Sequence, residues 1–250
     1  MQTVLITGVD KGIGRALMLK FLDEDFFVIG FCLNDENIKN INEEILHASK
    51  ETSDGNSELV DRLKIFQMDL SKPESIEKNI SEVKKFLAES DRKINILINN
   101  AGVMLDRGET DLDIEKLRKS LEINLVGPAN FTEHLLGLIG EDEKGGHIVN
   151  ISSVAGSFAH VDSGTGRAPN FYPAYRISKA ALNMYTNTLA ERLRNRNIIV
   201  SSVHPGLTRT DMGGGEANQS PEEAAENIFK FAISKPETGN FWFDSRKIPW

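Results

Sequence analysis

The chain has 250 residues, of which 40% are hydrophobic and 26% charged, so it is long enough to bury one large core. Its formal net charge of −8 at pH 7 argues against nucleic acid as the main partner, which would favour a basic surface. The single cysteine, Cys32, excludes an internal disulfide and any metal site built from several cysteines.

Short apolar runs alternate with segments of helical periodicity from one end of the chain to the other. The predicted elements are, in order, strand 3–7, helix 12–24, strand 26–32, helix 36–50, strand 64–68, helix 73–88, strand 94–98, a long helical stretch 112–139 interrupted at Gly127-Pro128, strand 146–151, helix 173–194, strand 198–203, helix 221–233 and strand 241–243. Three stretches rich in Gly, Ser, Asn or Asp are predicted loops, at 53–56, 158–170 and 212–220.

This alternation predicts the α/β class. Right-handed crossovers between successive strands give a Rossmann-type, doubly wound parallel sheet with helices on both faces. Neither an internal repeat nor a linker interrupts the pattern, so we expect a single domain over residues 1–250.

The turn after the first predicted strand carries three glycines. It reads Thr7-Gly8-Val9-Asp10-Lys11-Gly12-Ile13-Gly14 and leads directly into a predicted helix. Glycine permits a sharp turn and lets the backbone approach a pyrophosphate, while the helix N-terminus offers free N–H groups to that anion. The turn therefore predicts a dinucleotide site, although three glycines in a turn can also be purely structural.

Further motifs follow at the ends of later elements. They are Asn99-Asn100-Ala101-Gly102 after the fourth strand, Asn124 in the long helix, Ser153 after the fifth strand, Tyr175 and Lys179 in the next helix, and Pro205-Gly206 after the sixth strand. Together with the glycine turn, these motifs resemble the short-chain dehydrogenase/reductase family, in the family's order and over nearly the whole chain. More narrowly, residues 175–183 and the ending 239–250 are similar to the C-factor/sniffer-like carbonyl reductases.

Tyr175 and Lys179 lie four residues apart, which places both on one face of a helix. A nearby ammonium lowers the pKa of a tyrosine, and a tuned phenol can protonate the alkoxide that hydride attack creates. Ser153 can hydrogen-bond the same oxygen. The resemblance favours Ser153 over its neighbour Ser152, because Ser153-Val154-Ala155-Gly156 matches the family's S-x-x-G pattern. The two would point to opposite sides if the strand continued, and the alternative role for Ser152 is a strand-end hydrogen bond.

The resemblance implies roles for the remaining site residues. Lys179 would also hold the nicotinamide ribose, and Asn124 would mark a local helix distortion that holds a water for a proton relay; the alternative for Asn124 is a satisfied core amide. Asp69 would contact the adenine, unless it caps the helix that starts near Pro73. The implied cofactor-binding set is Gly8, Lys11, Gly12, Ile13, Gly14, Asp69, Leu70, Asn99, Ala101, Gly102, Tyr175, Lys179, Pro205, Gly206, Thr208 and Thr210.

The second strand decides which nucleotide is expected. NAD-binding chains usually end this strand with an acidic residue, and Cys32 stands in that place here. Lys11 is a basic residue that in this family meets the 2′-phosphate of NADP, so the resemblance implies NADP(H) as the preferred cofactor, with NAD(H) as the alternative. Leu33 departs from relatives that carry Arg at that place. Asp10 is expected to pair with Lys11 when no phosphate is present.

These observations predict an NADP(H)-dependent oxidoreductase that reduces an aldehyde or ketone, with Tyr175 as proton donor. The alternative is a nucleotide-sensing regulatory or binding protein on the same fold. The predicted partner is a small-molecule carbonyl substrate. The histidines lack metal-ligand spacing, so no metal is predicted. The N-terminus does not resemble a signal peptide, and the longest apolar stretch is too short to span a membrane. We therefore expect a cytoplasmic protein that binds neither membrane nor nucleic acid. The expected assembly is a homodimer or homotetramer.

Overall fold

An eight-stranded sheet lies at the centre of the computed structural model, which describes residues 1–51, 58–140, 145–159 and 171–250. Its strands are β1 Thr3–Thr7, β2 Phe27–Cys32, β3 Leu63–Gln67, β4 Ile96–Asn99, β5 Gly146–Ile151, β6 Ile198–Val203, β7 Asn240–Phe243 and β8 Arg246–Ile248. They lie side by side in the order β3-β2-β1-β4-β5-β6-β7-β8. All pairs are parallel except β7 with β8.

Helices cover both faces of this sheet. They are α1 Gly12–Asp23, α2 Asp35–Glu51, α3 Glu58–Asp61, α4 Pro73–Ser90, α5 Ile114–Leu121, α6 Gly127–Leu135, α7 Pro173–Arg192 and α8 Pro221–Ala232. A π-helical turn, Glu122–Val126, joins α5 to α6. The predicted α/β class with a doubly wound parallel sheet is confirmed.

The core has two layers, one on each face of the sheet. Strand β1 shows why: Val4 and Ile6 point into one layer, whereas Leu5 points into the other. Helices α1, α2 and α8 supply the first layer, and α4, α6 and α7 supply the second. Because central parallel strands are buried on both faces, they appear in the sequence as continuous apolar runs rather than as alternating patterns.

The helical stretch predicted over 112–139 differs from the structure in two ways: its first residue and the place where the helix is irregular. Helix α5 begins at Ile114 rather than at 112, because the Asp113 side chain caps it by accepting from the N–H groups of Glu115 and Lys116. The chain is not broken at Gly127-Pro128. It stays helical there, and the irregularity lies just upstream, in the π-helical turn. Since Pro128 has no N–H, it cannot donate to the carbonyl of Asn124, and the wider turn accommodates that loss.

Two strand predictions also need correction. Strand β4 starts at Ile96 rather than at 94, and Ile94 instead pairs with Ile139 in an isolated bridge. The sequence analysis missed β8, which is only three residues long and carries two charged side chains.

The end of the chain returns to the loop that follows β5. Ser157 Oγ donates to the carbonyl of Pro249 at 3.1 Å, and the N–H of Ala159 donates to the carbonyl of Trp250 at 3.1 Å. The Trp250 ring stacks on Phe241 with centroids 5.5 Å apart. The segment 249–250 thus braces the start of the predicted loop 158–170, which lies outside the described residues from 160 onward. The predicted loop 53–56 also lies outside them, whereas the loop over 212–220 is confirmed.

No helix in the described part of the chain has the length and apolar character needed to cross a membrane.

Candidate active site

The predicted site residues lie at one edge of the sheet, beyond the carboxyl ends of its parallel strands. The glycine turn follows β1, Asp69 follows β3, the Asn99–Gly102 segment ends β4, Ser153 follows β5 and Gly206 follows β6. Strand β1 lies between β2 and β4, where the chain changes its direction of travel across the sheet. Ligands of open α/β sheets bind in the crevice at this switch point.

The turn between β1 and α1 fits a dinucleotide pyrophosphate. Gly8 has φ +72°, and a Cβ at Gly14 would overlap the carbonyl oxygen of Gly8, so both positions need glycine. Within the described residues, α1 has neither a side-chain cap nor an acidic residue in its first turn. Its N–H groups and the positive end of its dipole therefore remain available to an anion.

Asn100 holds this turn in shape. Its Nδ2 donates to the carbonyls of Thr7 at 2.9 Å and Gly8 at 3.1 Å, while Thr7 Oγ1 accepts from the N–H groups of Asn100 and Ala101 at 3.0 Å. The sequence analysis assigned no role to Asn100. Its neighbour Asn99 points away from the crevice, because its Nδ2 donates to Thr132 and Asn150 in the buried layer. A cofactor contact at Asn99 would therefore come from its backbone.

Tyr175 and Lys179 lie together on α7, as their spacing predicts. Lys179 Nζ is 5.7 Å from the centroid of the Tyr175 ring and donates to the carbonyl of Ile151 at 2.8 Å. Burial lowers the pKa of Lys179 to about 8. Burial also raises the pKa of Tyr175 to about 12, against the opposing effect of a hydrogen bond with Ser153. The pKa of Tyr175 is therefore raised rather than lowered as the sequence predicts, because burial outweighs the other effects on the phenol.

The two neighbouring serines after β5 face different surroundings. Ser152 is buried, and its Oγ donates to Asn183 Oδ1 at 2.6 Å. Ser153 is partly exposed, and its Oγ accepts from the N–H of Ala155 at 3.1 Å and interacts with Tyr175. Ser153 is thus the serine next to Tyr175, whereas Ser152 makes the kind of buried hydrogen bond expected for it.

Asn124 joins three parts of the site. Its Oδ1 accepts from the N–H of Val103 at 2.8 Å, and its Nδ2 donates to the Val103 carbonyl and to Ser178 Oγ at 2.9 Å. The expected helix distortion is present as the π-helical turn that contains Asn124. A Cβ built on Gly102 would lie 3.1 Å from Asn124 Oδ1 and 3.4 Å from Lys179 Nζ, so these two side chains flank the same backbone.

The charges around Lys11 differ from the prediction. Asp10 does not pair with Lys11, because its Oδ2 accepts from Asn37 Nδ2 at 3.1 Å. Lys11 Nζ instead donates to Asp211 Oδ2 at 2.7 Å, and this hydrogen bond raises the pKa of Lys11. The sequence analysis missed Asp211. Arg107 also binds its backbone, since Arg107 Nη1 donates to the Asp211 carbonyl at 3.2 Å.

The loop after β6 lies against the glycine turn. It contains Pro205 and Gly206, and a Cβ at Gly12 would lie 3.1 Å from Thr210 Cγ2. Thr208 is buried and is bridged to Gln219 at the far end of the loop. This places Thr208 and Thr210 beside the same crevice as the glycine turn.

On the opposite side of the crevice, Asp69 does not cap α4. Its Oδ1 accepts from the N–H and hydroxyl of Ser71 at 2.9 and 2.6 Å. Burial acts to raise the pKa of Asp69, but the hydrogen bonds from Ser71 and Lys72 hold it below its usual value. Leu70 is buried, and a Cβ at Gly127 would overlap its carbonyl oxygen. The end of β2 is as expected, with Cys32 as its buried last residue and Leu33 exposed beyond it.

Within the described residues, no three His, Cys, Asp or Glu side chains gather into a group that could hold a metal ion.

The chain matches known proteins over almost its entire length. It is 30% identical over 233 residues to the 3-oxoacyl-[acyl-carrier-protein] reductase FabG of Aquifex aeolicus. The aligned region covers 93% of this chain and 84% of that protein. It spans only 57–66% of four other curated relatives. The carbonyl reductase Sniffer of D. melanogaster superposes with a TM-score of 0.84 at 26% identity, covering 100% of both chains.

A short-chain dehydrogenase/reductase from Burkholderia multivorans with bound NADP superposes with a TM-score of 0.78 at 25% identity, covering 100% of this chain and 99% of that one. The family model described as short chain dehydrogenase matches residues 2–221. With the glycine turn, the serine and the tyrosine–lysine pair in place along those residues, the chain belongs to the short-chain dehydrogenase family of oxidoreductases.

Proposed function

We propose that this protein is an NADP(H)-dependent carbonyl reductase in which Tyr175 donates the proton. The observation that carries the proposal is the convergence of Tyr175, Ser153 and Lys179 at the sheet edge where the glycine turn leaves a helix N-terminus open. Proton donor, oxyanion partner and phosphate site then all border one crevice, as reduction of a carbonyl by a dinucleotide requires.

Each side chain has a separate task in this proposal. Ser153 donates a hydrogen bond to the substrate oxygen as negative charge develops on it. Tyr175 transfers its proton to that oxygen, and the ammonium of Lys179 stabilises the phenolate that remains. Lys179 also binds the nicotinamide ribose hydroxyls, and Asn124 holds the π-helical turn against Val103 and Ser178. When bound, the cofactor supplies the hydride.

Two observations support NADP(H) over NAD(H). Cys32 rather than an acidic residue ends β2, with the carboxylates of Asp10 and Asp35 nearby, and Lys11 lies in the turn beside α1 with its side chain 71% exposed. The NADP bound to the Burkholderia multivorans relative is consistent with this choice.

The test is an aldehyde and ketone panel assayed with NADPH and with NADH. We expect turnover with at least one carbonyl and a higher kcat/KM with NADPH. Tight nucleotide binding without turnover on any carbonyl would instead support the nucleotide-sensing alternative. The predicted homodimer or homotetramer is tested separately, by the mass of the protein in solution.

Replacing Lys11 by alanine is expected to weaken NADPH binding and leave NADH binding nearly unchanged. A 2′-phosphate carries close to two negative charges at neutral pH. Losing one charge-assisted contact to it costs roughly 1.5–3 kcal/mol, which is about tenfold to a hundredfold in Kd. The measurement is four dissociation constants, for two proteins and two nucleotides. Equal losses for both nucleotides would mean that Lys11 contacts only the part they share.

Replacing Asp211 by asparagine is expected to tighten NADPH binding. Asp211 competes with the phosphate for Lys11, and removing its charge frees the ammonium. Both side chains are mostly exposed, and exposed ion pairs contribute little, so we expect a change of only about two- to fivefold in Kd. Asp10→Asn is the matched control and should have the smaller effect, because Asp10 is already bonded to Asn37. A larger effect from Asp10→Asn would contradict the competition by Asp211.

A further inference from the structure

A buried carboxylate lies at the N-terminus of the helix that carries Tyr175. Asp106, in the segment after β4, is only 1% exposed. Its Oδ2 accepts from the N–H of Ala174 at 2.6 Å and from the N–H of Tyr175 at 3.4 Å. The carboxylate therefore binds the backbone of the residue that bears the phenol.

Among the described residues next to the start of helix α7, no local group does this. Its N-cap residue, Tyr172, has φ 54° and makes no side-chain cap, and Pro173 in the first turn has no N–H. The next two N–H groups would be left without intrahelical partners, as at any helix start. A carboxylate at this position pairs with them and with the positive end of the helix dipole. Here it comes from 68 residues away in the sequence.

The segment that carries Asp106 is itself fixed against the start of α7. The N–H of Glu109 donates to the Asp106 carbonyl at 3.0 Å, and the N–H of Tyr172 donates to the Glu109 carbonyl at 2.8 Å. Lys116 pairs with the Glu109 side chain. Residues 106–109 and 172–175 are thus connected at two points, so a shift of the one segment moves the other.

The second oxygen of Asp106, Oδ1, is buried and has no hydrogen-bond partner among the described residues. The contacts of Asp106 with described residues therefore run through Oδ2 and its backbone, toward the start of α7.

We propose that Asp106 is a positioning residue for Tyr175: it caps α7 from the segment after β4 and so fixes the phenol relative to Ser153 and the crevice. The inference rests on the proposed function, since it assigns Tyr175 the proton transfer. Asp106 acts through the Tyr175 backbone and takes no part in the chemistry.

Three variants test this proposal: Asp106→Ala, Asp106→Asn and Asp113→Ala. The last is the matched control, because Asp113 caps α5 by the same kind of bond. A displacement of about 1 Å at a reacting group can cost 10²-fold, so we expect kcat of Asp106→Ala to fall about tenfold to a hundredfold. The KM for the carbonyl and the Kd for NADPH should change by less than about threefold, because neither ligand contacts Asp106 in the proposed mechanism.

Asparagine keeps an oxygen that can accept from the same two N–H groups, so Asp106→Asn should recover most of the lost kcat. Asp113→Ala should lower Tm and leave kcat unchanged. A wild-type kcat in Asp106→Ala, or equal losses in the alanine and asparagine variants, would overturn the proposal.

Amide hydrogen exchange measured by NMR gives a second readout that does not depend on turnover. The N–H groups of Ala174 and Tyr175 should exchange slowly in the wild type and faster in Asp106→Ala, although first-turn amides usually exchange fast. Fast exchange at both in the wild type would overturn the cap, even if the alanine variant fails to fold. The wild type could also protect both amides from exchange and yet reduce no carbonyl. That result would overturn the proposed function and the positioning role of Asp106 in it, but the cap of α7 by Asp106 would stand.

Discussion

Replacing Tyr175 by phenylalanine is expected to lower kcat by roughly 10²–10⁴-fold, the usual loss when a general acid is removed. The ring still packs in its buried position, but the hydroxyl that interacts with Ser153 is gone. The Kd for NADPH should therefore stay nearly constant. Steady-state kinetics on the best carbonyl and a cofactor titration measure the two quantities.

Tyr185→Phe is the matched control for this variant. Tyr185 lies on the same helix, and its hydroxyl donates to Glu133 at 3.3 Å rather than facing Ser153. Removing that hydroxyl should leave kcat unchanged. If Tyr175→Phe kept near-normal turnover, another group would be the proton donor, and the proposed mechanism would be wrong.

Replacing Lys179 by alanine is expected to impair both turnover and cofactor binding. The ammonium stabilises the phenolate, so kcat should fall by roughly 10²-fold or more. It also binds the ribose hydroxyls in the proposed mechanism, and losing those charge-assisted bonds should raise the Kd for the nucleotide about tenfold to a hundredfold. The measurements are kcat together with the Kd values of NADPH and NADH, and both Kd values should rise.

A second substitution, Lys179→Met, separates charge from packing. Both variants lose the hydrogen bond to the Ile151 carbonyl. Methionine retains most of the buried aliphatic part of the lysine side chain, whereas alanine leaves a cavity in its place. The methionine variant should therefore have the higher Tm but the same kinetic defects. A loss of turnover with an unchanged Kd in both variants would contradict the ribose role and leave Lys179 only its electrostatic one.

Local sequence was sufficient wherever the site depends on local geometry. The glycine turn was predictable because Gly8 directly follows a strand and Gly12 begins a helix. Tyr175 and Lys179 were predictable because they match the family's Tyr-x-x-x-Lys motif in the company of its other motifs, and their four-residue spacing places both on one face of a helix. The choice of Ser153 over Ser152 came from the match of Ser153-Val154-Ala155-Gly156 to the family's S-x-x-G pattern, because the alternation of side chains along a strand shows only that the two serines face opposite sides.

Contacts between distant segments were not predictable in this way. Lys11 and Asp211 are 200 positions apart, and nothing near Lys11 indicates that Asp211, rather than the adjacent Asp10, is its partner. Asp106 has no periodic or spacing signal, since its partners are backbone N–H groups of a helix formed much later in the chain. Pro128 did indicate an irregular helix, but the irregularity is the π-helical turn Glu122–Val126, which precedes it in the chain. That turn contains Asn124, whose carbonyl would accept from the N–H that proline lacks.

The contact between the segment 249–250 and the loop after β5 has a consequence for the order in which the protein matures. Domains are generally built from the N-terminus during synthesis, at about 5–20 residues per second. The glycine turn, β1 to β5 and Ser153 all emerge from the ribosome before Pro249 and Trp250. Until those two residues are synthesised, the backbone just after Ser153 lacks the carbonyls that accept from Ser157 and Ala159. The sheet from β1 to β5 can therefore pack before the two contacts from residues 249–250 fix the backbone at Ser157 and Ala159.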